Sequence, residues 1–167
     1  MALTAGTEAL ASVRQRLGTL EGKRRRRNLE VLLERMTSEL TVDVEGIMRP
    51  LAPDFSLHLH TPGGHVQVLR GASAVRTMFT RIGAGGRTTM RVDFEHLAVD
   101  DDVIIGSGQL TMVLPSSQAT AIGYAADAAA QMARVSYPMV MIIEFENGLM
   151  VREHLYSDPA TTTVTAL

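Results

Sequence analysis

Histidine is the first residue type to consider for chemistry in this sequence, because imidazole exchanges protons near neutral pH. Among the five histidines, His58 and His60 are separated by one residue and would share one face of a strand. Leu57 and Leu59 would occupy the opposite face. If that apolar face lines a pocket, both histidines point outward, whereas a bulge after His60 would turn its ring inward.

His96 follows a different pattern, since it continues the apolar alternation of Met90, Val92 and Phe94. A histidine on such a face is either a core residue whose ring nitrogens are satisfied or a pocket residue that can act as a base. The sequence leaves both interpretations open.

Tyr137 alternates with Val135, Met139, Met141 and Ile143, which predicts that its ring is buried. A buried phenol hydroxyl requires a hydrogen-bond partner. Tyr137 is therefore our candidate for a hydrogen bond to a ligand.

A metal site is an alternative use of the His58-x-His60 pair, because a strand presents both rings to one side. A third ligand would come from His154, Glu153 or Asp158. Metal-binding jelly-roll barrels use such a pair with a glutamate shortly after it, and none follows closely here. We expect no metal and no cofactor.

The basic run at residues 23–27 could bind nucleic acid electrostatically. No aromatic residue interrupts it, and the net charge of the chain is −2. A solvated start of a helix is the commoner role of such a run, so we expect no nucleic-acid partner.

Composition indicates one compact domain of 167 residues with no cysteine and therefore no thiol chemistry. No apolar run reaches the roughly 18 residues of a membrane-spanning helix. The first residues lack the apolar stretch of a signal peptide. A cytoplasmic location and no membrane partner are the resulting expectations.

These candidates need elements to position them, and hydrophobic periodicity predicts helices first and strands afterwards. Period-3.6 patterns predict helices near 7–20 and 24–40, a short helix after Asp43, and another of about 11 residues after Gly71. Period-2 patterns predict strands near 55–60, 65–70, 87–99, 102–114, 134–146 and 149–157. This order predicts an α+β fold with helices packed on one face of a mostly antiparallel sheet.

The segment at 115–133 is long for a connection between two strands. One interpretation is a poorly ordered excursion. The other is a lid with a helical turn at residues 125–132 and with Tyr124 in contact with a ligand.

Three segments together resemble the SnoaL-like branch of the nuclear-transport-factor-like superfamily. They are the entry to the first strand at 51–55, the glycine-initiated helix at 70–75, and the closing strand at 148–158 with its Tyr-x-Asp. Asn147-Gly148, a strong hairpin signal, precedes the last of these. The resemblance covers residues 28–158 and implies a cone of curved sheet around helices, with an apolar pocket and dimerisation through the outer sheet face.

A ketosteroid-isomerase-like site, which the superfamily also contains, would need a carboxylate base and a protonated carboxyl at two matched positions. Those positions carry Leu59 and Met141, which transfer no proton. We therefore do not expect that reaction.

An epoxide-hydrolase-like site would need an Arg-x-Asp pair and a second aspartate to activate water. Arg91-x-Asp93 matches this sequence pattern, but it lies on the strand before the one that would carry the site. The matching strand carries Gln109 and Thr111, and Leu155 replaces the second aspartate.

In some SnoaL-like cyclases an aspartate near the end of the last strand is the acid or base, and the resemblance carries this role to Asp158. We therefore expect the α+β cone to bind a small hydrophobic, polyketide- or steroid-like molecule, with cofactor-free cyclisation, isomerisation or dehydration as its chemistry. The catalytic candidates are His96, His60 and Asp158, and the ligand-binding candidates are Tyr137, Leu57, Leu59, Met141, Leu155 and Phe79.

The rival expectation is a non-catalytic ligand-binding or dimeric interaction module. Polar groups that converge on one cavity would favour the enzyme, and a purely apolar cavity would favour the module. The expected organisation is a helical extension at 1–27, a cone domain at 28–158 with an insert at 115–133, and a tail at 159–167.

Overall fold

The computed structural model of this protein describes residues 10–60, 65–86, 89–121, 124–157 and 161–167. Helices come first and strands follow, as the periodicity predicts. The helices are α1 (Ala11–Thr19), α2 (Lys23–Thr41), α3 (Val44–Met48), α4 (Ala72–Ala84) and α5 (Ser116–Ala121). The strands are β1 (Leu51–His60), β2 (Val66–Arg70), β3 (Thr89–Val99), β4 (Val103–Pro115), β5 (Met132–Glu146), β6 (Leu149–Ser157) and β7 (Thr163–Ala166).

Within these residues the strands form one seven-stranded sheet in the order β2-β1-β6-β5-β4-β3, with β7 paired to the first part of β5. β1 and β6 run parallel, and their other neighbours in the sheet are antiparallel. The sheet is curved and does not close. The predicted α+β fold with a curved, mostly antiparallel sheet is confirmed.

The core lies between the helices and the inner face of the sheet. α2 contributes Leu29 and Leu32, at 0% and 1% exposure, to the same buried cluster as Phe55 of β1 and Ile143 of β5. Val13 of α1 is also fully buried in this cluster. The apolar stripe of α2 therefore holds the helix in the concavity of the sheet.

Two segments differ from their expected form. The insert at 115–133 contains α5 at its start rather than a helical turn at 125–132, because Ala119 packs into the core. The expected tail contributes Thr163–Ala166 as strand β7, which hydrogen-bonds along β5 beyond the point where β6 ends. An unpaired strand edge offers backbone donors and acceptors, and both segments cover that part of the sheet.

The turn between β5 and β6 has the predicted primed geometry. Asn147 has φ 52° and Gly148 has φ 77°, both in the left-handed region. Glycine adopts this region without steric cost, and asparagine tolerates it better than most residues. The turn fixes the pairing of Glu146 with Leu149, and an extra residue on β6, Val151, then shifts the register along the rest of the two strands.

Gly148→Ala is expected to lower the free energy of unfolding by about 1 kcal/mol, since an L residue is disfavoured at this φ. Space is not the cause, because a Cβ at Gly148 meets no atom within 4 Å. Gly18→Ala, in helix α1, is the matched control because a Cβ there also meets nothing within 4 Å. It should stabilise by up to about 1 kcal/mol. Urea denaturation measures both, and two changes of the same sign would contradict the explanation.

Candidate functional site

A partly enclosed cavity of about 160 Å³ lies between the helices and the inner face of the sheet. Its wall combines α2 and α4 with strands β1, β3, β4, β5 and β6. Most of the wall is apolar, and methionines from four of these elements supply much of it. The described residues that line it are Arg35, Glu39, Leu57, Leu59, Met78, Phe79, Ile82, Met90, Val92, Leu110, Met112, Tyr137, Met139, Met141, Glu153 and Leu155.

The residues predicted to bind a ligand come together on this wall. They arrive from four elements: β1, α4, β5 and β6. The structure places Leu57, Leu59, Phe79, Tyr137, Met141 and Leu155 around this cavity. Their ligand-binding role itself stays a prediction.

Three charged side chains on the same wall form a buried cluster that sequence reasoning missed. Arg35 Nε donates to Glu39 Oε1 at 3.0 Å, and Arg35 Nη1 lies 2.6 Å from Glu153 Oε2. The side chains of Arg35, Glu39 and Glu153 are 4%, 11% and 6% exposed. We call these three residues the carboxylate–guanidinium cluster.

Arg35 is charged in this setting. Burial opposes the charge, but the carboxylates of Glu153 and Glu39 outweigh it and hold the pKa of the guanidinium above its usual value. The Cζ atom of Arg35 also lies 5.8 Å from the centre of the Phe55 ring, within the range of a cation–π interaction. The cluster is therefore an ionic group within an apolar wall.

Glu153 holds one polar atom that the protein does not fully satisfy. Its Oε2 is buried and close to Arg35 Nη1, yet no N–H points at it with hydrogen-bond alignment. Nη1 instead donates to Met150 Sδ at 3.6 Å. Glu153 and Arg35 form a close ion pair, and because a carboxylate oxygen has more than one acceptor site, Oε2 keeps acceptor capacity.

A signal for part of this cluster does exist in the sequence. Arg35 lies three residues after Leu32, and Glu39 lies seven residues after Leu32, so both charged residues lie on the apolar stripe of α2. Glu153 shares a face of the last strand with Leu155. Charged residues on two apolar stripes predict burial with mutual pairing.

Tyr137 has its own partner at another position along the cavity. Its hydroxyl hydrogen-bonds to Tyr124 of the insert, and the two ring centres lie 6.3 Å apart. Burial raises the pKa of Tyr124, and the hydrogen bond offsets part of that rise. Ile143, the β5 residue opposite Glu153, lies six residues from Tyr137, so Tyr137 and Glu153 mark separate polar positions.

His96 does not line the cavity, and its predicted place on the apolar face is wrong. Phe94 pairs with Gly108 and His96 with Ser107, which leaves Glu95 as an extra residue on β3. This bulge reverses the alternation, so Leu97 turns inward and His96 is exposed. The structure gives His96 no position from which to act in the cone.

His60 also lies outside the cavity, on the outer face of the sheet. Its Nε2 is 3.0 Å from His154 Nδ1, and its ring stacks on Tyr156 with the ring centres 4.0 Å apart. The ring centres of His58 and His154 are 4.4 Å apart. We call His58, His60 and His154 the outer histidine cluster. The bulge considered after His60 would fall at residues 61–64, which lie outside the described residues; within β1, His60 faces outward.

The His60–His154 contact requires one ring nitrogen to be unprotonated, because a hydrogen bond needs one donor and one acceptor. Partial burial and then His60 lower the pKa of His154; Glu144 opposes this shift, and Arg152 adds to it. Partial burial and neighbouring positive groups, His154 first among them, lower the pKa of His58. The unfolded chain therefore binds protons at these two rings more readily than the folded chain does. As a result, the folded state loses stability as the pH falls below about 6.5, the ordinary pKa of histidine.

Asp158 lies outside the described residues. Tyr137 and His96 do not converge, because only Tyr137 reaches the cavity. Polar groups do meet inside the cone, but they are those of the carboxylate–guanidinium cluster.

A metal ion needs several side-chain ligands close together, and nucleic acid needs positive charge that the protein leaves uncompensated. Among the residues that the structure describes, no group of three or more His, Asp or Glu is arranged to hold a metal ion. In the basic run, Arg24 pairs with Asp102, and Arg25 lies 2.9 Å from Asp100 and 3.2 Å from Asp101. The turn between β3 and β4 thus balances part of the charge of the run. None of the described helices is long and apolar enough to span a membrane.

Comparison with known proteins identifies relatives at the level of family and fold. The model of the SnoaL-like domain matches residues 32–153. A search of curated proteins finds no match.

Solved structures share the fold at low sequence identity. A phenazine biosynthesis-related protein from Pseudomonas aeruginosa has a TM-score of 0.62 at 12% identity, over 83% of this chain and 84% of that one. A protein described as a SnoaL-like polyketide cyclase from Shewanella denitrificans has a TM-score of 0.65 at 12% identity, over 80% and 92%. An LEH-like epoxide hydrolase from M. tuberculosis has a TM-score of 0.60 at 12% identity, over 81% and 85%. At this identity the likeness concerns the fold alone.

Arg35→Met is expected to destabilise the protein by about 3–5 kcal/mol, because it leaves two carboxylates in the wall without their buried cation. Arg76→Met is the matched control, since Arg76 makes a two-point ion pair with Glu45 at the surface. Exposed pairs contribute little, so this control should unfold almost as the parent does. Guanidinium denaturation measures both, and equal effects would mean that the cluster is solvated in solution.

Proposed function

The chain belongs to the SnoaL-like domain family, and on that premise we propose that its cone binds a small, largely apolar molecule for cofactor-free acid–base chemistry. One observation carries the proposal. An apolar cavity has a buried carboxylate, Glu153, on its wall, and that carboxylate has an acceptor atom without an aligned donor. An apolar pocket with a few polar groups on its wall is the usual form of a small-molecule site.

The size of the cavity favours a ligand smaller than a polyketide or a steroid. An apolar cavity of about 150 Å³ is known to hold benzene, whereas drug-sized ligands occupy roughly 300 Å³ or more. The cavity of about 160 Å³ here corresponds to one ring or a short branched chain. Larger polycyclic substrates would require the wall to widen, and the flexible methionines Met78, Met90 and Met141 are where it could yield.

The proposed base is Glu153, because a carboxylate with acceptor capacity inside an apolar wall can take a proton from a bound carbon acid. Arg35 would hold Glu153 in place and stabilise negative charge that develops nearby. Glu39 fixes the guanidinium from its other side at 3.0 Å. Tyr137 would hydrogen-bond a polar atom farther along the ligand. His96 and His60 have no part in this proposal, and Asp158 is not included in it.

A second candidate is the addition of water to a strained ring, for which a guanidinium between two carboxylates is the suitable group. Glu39, Arg35 and Glu153 have that composition, although they come from α2 and β6 rather than from the strand that sequence matching pointed to. One neighbour in structure is named an epoxide hydrolase. In this candidate Glu153 would accept the proton of a water molecule.

The non-catalytic module remains the rival, and the outer face of the sheet is what favours it. Ile105, Val140 and Tyr156 are 43%, 39% and 39% exposed there. Val140 lies opposite Tyr156 in the β5–β6 pairing, so the two side chains are contiguous. We propose that this face joins two copies of the chain, which is compatible with either a catalytic or a purely binding cone.

Toluene is expected to raise the melting temperature of the protein if the cavity admits a ligand. At ten times its dissociation constant the stabilisation is about 1.4 kcal/mol, or roughly 3–6 °C for a chain of this size. Leu155→Phe should abolish the shift because its ring would fill the cavity. Val140→Phe, on the outer face, should retain it. Differential scanning fluorimetry measures the parent protein and both variants with and without toluene, and no shift in the parent protein would refute binding in the cone.

Val140→Asp is expected to convert a dimer to a monomer, because it buries a charge at the centre of the proposed interface. Leu149→Asp is the control, since Leu149 is 38% exposed at the tip of the β5–β6 hairpin and away from that face. Native mass spectrometry of freshly purified protein measures the mass of the assembly and any ligand that co-purifies. A monomeric parent would refute the interface.

A further inference from the structure

The polar part of the cavity wall at β6 presents acceptors. An ionised carboxylate has only acceptor sites, and both Glu39 and Glu153 line the cavity. Arg35 is the donor beside them, but its Nε already donates to Glu39, and its Nη1 donates to Met150 Sδ and faces Glu153. Two of the three guanidinium nitrogens are therefore committed to the protein.

Glu153 Oε2 is the atom that a ligand would satisfy. It is buried, its side chain is 6% exposed, and no donor of the protein is aligned with it. A carboxylate oxygen has more than one acceptor site, and a donor supplied by a ligand would fill the site that the ion pair with Arg35 leaves open. An acceptor on a ligand would instead face the lone pairs of the carboxylates, which repel it.

We propose that the cavity selects compact apolar molecules whose polar group donates a hydrogen bond, namely a hydroxyl or an N–H. Isomers that can only accept are disfavoured, and so are carboxylates, which repel Glu153 and Glu39. This inference rests on the proposed function, because it names the class of ligand for the same cavity. It also places the hydrogen of that polar group at the atom proposed as the base.

The test compares isomers of equal size. Benzyl alcohol and anisole have the same atoms, but only benzyl alcohol donates. Toluene reports apolar binding alone, and benzoate adds a negative charge. Binding is measured at pH 7 from the NMR signals of methyl-labelled methionines, since Met78, Met90, Met112, Met139 and Met141 line the cavity and report directly on its contents.

Benzyl alcohol is expected to bind about tenfold more tightly than anisole, which is the difference made by one hydrogen bond to a charged group. Benzoate should bind more weakly than toluene. Equal binding of benzyl alcohol and anisole, or tightest binding by benzoate, would overturn the inference while toluene binding upholds the proposed function. If toluene also fails to bind, the proposed function falls and this inference falls with it.

Glu153→Gln locates the effect, because an amide both donates and accepts. The preference for benzyl alcohol over anisole should shrink to less than about threefold, while toluene binding is retained. Glu144→Gln is the control, since Glu144 pairs with Arg152 at the surface, 2.9 Å away, and does not line the cavity. An unchanged preference in Glu153→Gln would overturn the assignment to Glu153. If that variant does not fold, the comparison of isomers in the parent protein still decides the inference.

Discussion

The parallel register of β1 against β6 separates the two kinds of chemistry in this protein. Leu57 lies opposite Glu153, and His58 lies opposite His154. Because side chains alternate along a strand, the first pair turns toward the helices and the second turns away from them. A slip of one residue would place imidazoles in the cone and the carboxylate outside it. The β5–β6 turn, with glycine at positive φ, and the extra residue Val151 on β6 together set the neighbouring register on which this division depends.

The burial of the carboxylate–guanidinium cluster lowers the stability of the folded state. Moving ions from water into an apolar wall carries a desolvation cost that their mutual attraction only partly offsets, and well-packed apolar side chains often do as well or better. Stability alone therefore does not explain a cluster of this kind. The proposed function would explain it, because a carboxylate in a poorly hydrated place strengthens hydrogen bonding to a ligand.

On the outer face of the sheet, the ionisable groups are partly exposed rather than buried. Its histidines are partly exposed, lie against one another, and share the face with Arg152 and Glu144. The lowered pKa values of His58 and His154 arise from partial burial and from like charges, which is the ordinary result of crowding basic groups on one surface. A histidine-rich strand is thus compatible with a surface role, and the abundance of imidazoles does not by itself locate an active site.

Local periodicity determined most of the fold and the apolar part of the candidate site. Alternation identified Leu57, Leu59 and Met141 as facing the cavity, because side-chain direction along a regular strand depends only on neighbouring residues. Tertiary structure decided the rest. The bulge at Glu95, which results from pairing with β4, reversed the face of His96. Arg35 and Glu153 meet only when α2 packs into the concave sheet, and no local pattern encodes a contact between residues so far apart in the chain.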